Sequence, residues 1–171
     1  MKRKLGGYVV VAVVLLGIGA ALAQTHTKTQ MNTQTAAAGK MLSPTDLQWG
    51  PAPAGLPPSV QAAVLAGDPT QPGLYTVRLR VPDGGMIRPH WHSNDEHLTV
   101  ISGRVGLGMG DTVTPAQMTT LAAGGYATMP AHHHHYAQSH GETILQLSGL
   151  GPFDIHYVNP TDDPRQQRSS R

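Results

Sequence analysis

The chain has 171 residues, enough for one domain, and its 20 glycines and 14 prolines suit short strands joined by many turns. It has no cysteine, which excludes disulfides, thiolate metal sites, iron–sulfur clusters and cysteine nucleophiles. Ten histidines stand beside only ten acidic residues, and the formal net charge is +2; the composition points to histidine chemistry.

The positive charge gathers at the start of the chain. Lys2, Arg3 and Lys4 precede an apolar run from Tyr8 to Ile18 and then Ala21-Leu22-Ala23. A cationic segment, a short apolar stretch and an Ala-x-Ala end read as a secretory signal peptide over residues 1–23, cleaved before Gln24. The apolar run is shorter than the ~20 residues of a spanning helix, so the processed chain is expected to keep no stable membrane span. Its expected place is the periplasm or the exterior. Taking Lys2, Arg3 and Lys4 from the 12 Lys/Arg leaves nine against ten Asp/Glu, a formal net of −1. No basic patch remains for nucleic acid.

Residues 24–41 are rich in Thr and Gln, with little apolar surface to offset ordering entropy, and read as a flexible tether. The folded unit is expected over 42–158. Residues 159–171 carry two prolines and no large apolar side chain, and read as a frayed tail.

Within the folded unit the hydrophobic period is two. Val60–Leu65, bounded by Pro58, Gly67 and Pro69, reads as a strand rather than a short helix. Tyr75, Val77, Leu79 and Val81 alternate with Thr76, Arg78 and Arg80, a half-buried strand ending at Pro82. Leu98 and Val100, then Val105, Leu107 and Met109, continue the pattern around a turn at Ser102-Gly103. Thr143–Ser148 and Phe153–Val158 read as two further strands. Such spacing argues an all-β, antiparallel sandwich or barrel. Gly106-x-Gly108-x-Gly110 precedes no helix and reads as close backbone packing.

Seven of the ten histidines lie between His90 and His135. His90 and His92, at i and i+2, project from one face of a strand. Glu96 shares that parity if the strand continues, whereas His97 points away. Two imidazoles and a carboxylate suit a divalent transition metal. In the run His132–His135, one or two rings are expected to turn inward, His133 and His135 having one parity and His132 and His134 the other.

These residues resemble the cupin superfamily. Gly84-x5-His90-x-His92-x3-Glu96-x6-Gly103 matches the first cupin motif at every defined position. Gly124-x5-Pro130-x-His132-x2-His135 is similar to the second, except that His132 stands at a glycine position and Ser139 at the terminal asparagine. A histidine can occupy the left-handed turn geometry that such a glycine usually supplies, at some cost.

The resemblance implies an antiparallel β-barrel of jelly-roll type with a metal at its wider mouth. It implies the ligands His90, His92, Glu96 and His135, with His133 as the same-parity substitute for the last. The metal is expected to be Fe, Mn or Ni, with Zn and Cu compatible with the same donors. Gln146 is a candidate to face the metal cavity and Arg88 to hold an acidic substrate.

Two functions compete. One is a metalloenzyme of oxygenase or isomerase type acting on a small organic molecule; the other is a protein that binds a metal or small ligand without turnover. A structural barrel closed around its metal is the third reading. Edge-strand dimerisation is common among cupins and compatible with this sequence.

Overall fold

The computed structural model describes residues 39–168; the expected signal peptide (1–23) and most of the expected tether (24–41) lie outside the described residues. Eleven strands follow in order: β1 (Gly50–Pro51), β2 (Gln61–Ala66), β3 (Gly73–Val81), β4 (Met86–Trp91), β5 (Glu96–Ser102), β6 (Arg104–Met109), β7 (Thr119–Ala122), β8 (Tyr126–Met129), β9 (His135–Ser139), β10 (Thr143–Gly151) and β11 (His156–Tyr157). A single helical turn, α1 (Pro164–Arg168), follows. Among the described residues, no helix is long and apolar enough to cross a membrane.

The strands form two antiparallel sheets. The first has the order β1-β2-β3-β10-β5-β8 and the second β11-β4-β9-β6-β7. This is the expected jelly roll, but as two facing sheets and not a closed barrel. The edge strands β1 and β11 have two residues each, too little ladder to join one sheet to the other.

Alternation sets the core. In β3, Tyr75, Val77, Leu79 and Val81 are buried. Leu145 and Leu147 of β10 lie opposite Leu79 and Val77, and Leu147 also faces Leu98 of β5. Ile87, Val105, Leu107 and Ala137 of the second sheet belong to the same buried cluster.

Two glycines explain local geometry. At Gly103, in the β5–β6 turn, φ is +78° and a Cβ would meet the Glu142 carbonyl oxygen at 2.5 Å. At Gly108 a Cβ would lie 2.2 Å from the Tyr136 ring. Tyr136 is fully buried over that strand, its hydroxyl accepting from the Thr114 amide at 2.9 Å. Of the Gly-x-Gly-x-Gly run, Gly108 is thus the seat for a tyrosine ring, while Gly106 lies against Met118 and His140.

Two expectations change. The strand expected over Phe153–Val158 reduces to His156–Tyr157, paired with Trp91 and His90. Ahead of it Ile155 is fully buried and Phe153 packs against the core; the segment closes one end of the sandwich instead of extending a sheet. The expected frayed tail carries a 3-10 turn at Pro160–Asp162 and then α1. Asp163 and Arg165 hold it in place: the guanidinium donates to both carboxylate oxygens at 2.8–3.0 Å and to the Ile155 carbonyl at 2.9 Å. Polar composition marked this segment as unable to form a core, but it docks through charge-assisted hydrogen bonds, which need no apolar surface.

Candidate metal centre

The site forms where the two sheets meet the capped end. Pro89 lacks an amide proton, and the β4–β9 register shifts between Ile87 and His90. Such an irregularity re-aims side chains: Ile87 and His90, three residues apart, both point inward, while Arg88 stays exposed. His90 then lies directly opposite His135 of β9, their ring centroids 4.2 Å apart. His92 follows β4 by one residue, 4.9 Å from the His90 ring. The chain crosses to the first sheet over residues 93–95, and Glu96 opens β5.

Glu96 therefore reaches the histidines from the facing sheet and not, as the parity argument assumed, along one continuing strand. Its Oε2 lies 3.7 Å from His92 Nε2 and 3.5 Å from His135 Nε2. His90, His92, Glu96 and His135 are all buried. The donor atoms of the three histidines lie within 4.8 Å of one another.

Each imidazole is oriented by a backbone carbonyl. His90 Nδ1 donates to Arg88 O at 2.7 Å, His92 Nδ1 to Asp154 O at 2.5 Å and His135 Nδ1 to His133 O at 2.9 Å. In the neutral rings this fixes the tautomer and leaves every Nε2 lone pair free, the arrangement metal-ligating histidines use. His92 Nε2 and His135 Nε2 are buried without any hydrogen-bond partner. An orphaned buried polar atom costs about 1–3 kcal/mol, a cost that coordination removes. The residues fit a divalent metal.

Electrostatics agrees with that fit. Burial, then repulsion from His135 and His92, lowers His90 to about 3, so its imidazole is neutral at ordinary pH. Burial of Glu96 opposes ionisation, but the neighbouring His135, His92 and His90 outweigh it and hold the carboxyl below its usual range. A neutral imidazole and an anionic carboxylate are the ligating forms.

Outside this cluster the other candidates separate. His132 takes φ +62° at the expected glycine position and is exposed, its ring against Trp91 at 4.9 Å. His133 is exposed and contributes its carbonyl. His134 pairs with Asp111 at 2.6 Å. Arg88 likewise contributes a carbonyl and not a side chain to the site. Gln146 does not face the metal cavity: Leu145 and Leu147 point inward, and Gln146 accepts from Arg78 Nε at 3.3 Å on the outer face.

Sequence reasoning missed Phe153 and Asp154. The Phe153 ring, from the chain's single phenylalanine, lies 5.5 Å from His92 and edge-on to Tyr75 at 6.3 Å. Asp154 holds His92 through its carbonyl, while its carboxylate accepts from the Ser93 amide at 2.9 Å, from the Ser93 hydroxyl, and from His156 Nε2 at 3.0 Å. The solitary phenylalanine among glycines and prolines was the available signal; nothing local marks the carbonyl contact.

A model of the cupin family matches residues 69–159, and the chain belongs to that family. Its fold is similar to that of the polyketide cyclase RemF from Streptomyces resistomycificus, with TM-score 0.60 and 17% identity over 77% of this chain and 93% of that one. It is also similar to a candidate acetylacetone dioxygenase from Methylibium petroleiphilum, with TM-score 0.55 and 22% identity over 74% and 85% of the two chains. An RmlC-like cupin from Shewanella frigidimarina gives TM-score 0.51 and 18% identity over 66% and 91%. No curated protein matches the sequence significantly. At these identities the structural likenesses speak for the fold.

Proposed function

We propose that this cupin is an exported metalloenzyme of oxygenase or isomerase type, acting on a small organic molecule at a divalent transition-metal site held by His90, His92, Glu96 and His135. The observation that carries the reading is the set of three imidazoles whose Nδ1 atoms are all bound to carbonyls while their Nε2 atoms converge. When bound, the metal supplies a Lewis acid and template for an oxygen-donor substrate. The three rings set the donor geometry, and Glu96 provides a carboxylate that can ligate or accept a proton. Export rests on the Lys2–Lys4 charge, the Tyr8–Ile18 run and the Ala-x-Ala end. Fe, Mn and Ni suit the donors and the proposed chemistry.

One observation favours a second reading, a protein that holds a metal without turnover: the cavity at the histidines measures only about 20 Å³. Elemental analysis of the chain from Gln24, purified without a tag or nickel resin, tests the metal. One Fe, Mn or Ni per chain, lost in His90→Ala/His92→Ala, supports the site; no metal before or after reconstitution rejects it. Turnover of diketones, catechols or flavonols by the loaded protein separates the enzyme from the binding protein.

A further inference from the structure

Resting on that metal reading, we propose that a groove beside Phe153 binds the apolar body of a small uncharged molecule, whose oxygen-donor head enters the metal cavity past the Phe153 ring. The inner cavity of about 20 Å³ has space for little more than a water or two. The body of any organic ligand must lie outside it.

On the other side of Phe153 lies a groove of about 530 Å³, a size typical of small-molecule sites. Among the described residues, Phe153 is the one that lines both spaces. The groove walls include Pro51, Pro53, Val64, Pro69 and Pro152. Its charged members are already engaged: Asp154 by Ser93 and His156, and Arg165 by Asp163 and the Ile155 carbonyl. The lining therefore selects an apolar, uncharged body and leaves the metal as the anchor for the head. The backbone at Phe153 is tied to Pro69 O at 2.6 Å, so the moving part is the ring, which turns between the two spaces. A second outer cavity, of about 350 Å³ beside Leu74 and His97, shares no residue with the metal cavity.

The test uses the full chain loaded with Co(II), whose absorption reports ligand binding, and two probes: acetohydroxamate and octanohydroxamate. Each buried methylene is worth about fourfold in affinity. The longer probe should bind the wild type at least about 30-fold more tightly. Val64→Glu, at a half-exposed position on the groove wall, should remove that advantage and leave acetohydroxamate binding unchanged. Leu74→Glu at the outer cavity should preserve the advantage, and Phe153→Trp should slow entry of the longer probe. Equal affinities for the two probes, an advantage that survives Val64→Glu, or one that Leu74→Glu removes would each overturn the proposal. Failure to take up Co(II) at all overturns the metal reading beneath it.

Discussion

The Nδ1 of His92 lies 2.5 Å from the carbonyl oxygen of Asp154, 62 residues further along the chain. The same Asp154 returns its carboxylate to Ser93, the residue after His92, and to His156. Burial opposes ionisation of this carboxylate, but the Ser93 and His156 hydrogen bonds outweigh it and hold it below its usual range. One residue thus clamps the ligand ring and the turn beyond it.

Removing the clamp should loosen the metal without unfolding the sandwich. Asp154→Ala keeps the carbonyl but frees the backbone that aims it, and outer-sphere losses of this kind cost about 10–100-fold in metal affinity. Asp154→Asn, which can still accept from Ser93, should recover part of the loss. Competition with a chromogenic chelator measures both, and unchanged affinity in Asp154→Ala would reject the clamp.

The histidine run should divide cleanly. His135→Ala removes a buried donor and should abolish stoichiometric metal. His133→Ala keeps its carbonyl on His135 Nδ1 and should retain it. Metal content after dialysis decides, and loss in the His133 variant would reassign the ligand.

Acid should undo the C-terminal anchor. The hydrogen bonds from Arg165 outweigh partial burial and hold the Asp163 carboxyl below its usual range. A carboxyl lowered in the folded state adds stability that is fully present above its unfolded pKa and is lost as pH falls through the folded one. Asp163→Asn should therefore be less stable than the wild type at pH 7 by on the order of 1 kcal/mol, read as a lower melting temperature. The two melting curves should converge below the usual carboxylate range. A gap that persists in acid would assign the effect to packing.

Gly108→Ala should be costly despite adding one methyl, because the new Cβ falls on the Tyr136 ring. Overpacking of this kind costs about 1–3 kcal/mol, read as a drop in thermal midpoint. No drop would mean that the ring can move aside.

The strands and the pairing of His90 with His92 were legible because each depends on alternation within a few residues, whereas His135 came with the cupin motif. Tyr75–Val81 and Thr143–Ser148 showed their inward faces directly. The same alternation already turned Gln146 outward, between Leu145 and Leu147. Glu96 lies beside the histidines by a path that parity did not foresee, since β4 and β5 belong to different sheets and each sets its own parity. The Pro89 register shift, the sheet crossing at residues 93–95 and the Asp154 carbonyl are relationships between distant segments, and no local period encodes them. Asp163 and Arg165 were hidden for a related reason: a polar tail shows no hydrophobic pattern, yet its fixed charges are what dock it.

The clamp on His92 also ties the candidate ligands to a segment that lies beyond all of them in the chain. His90, His92, Glu96 and His135 all precede Asp154 in the chain, and Arg165, later still, holds the Ile155 carbonyl. A nascent chain halted after β9 would own every candidate ligand but lack the carbonyl that aims one ring and the segment that roofs the pocket. The aim of one candidate ligand therefore depends on a segment that follows all of them in the chain.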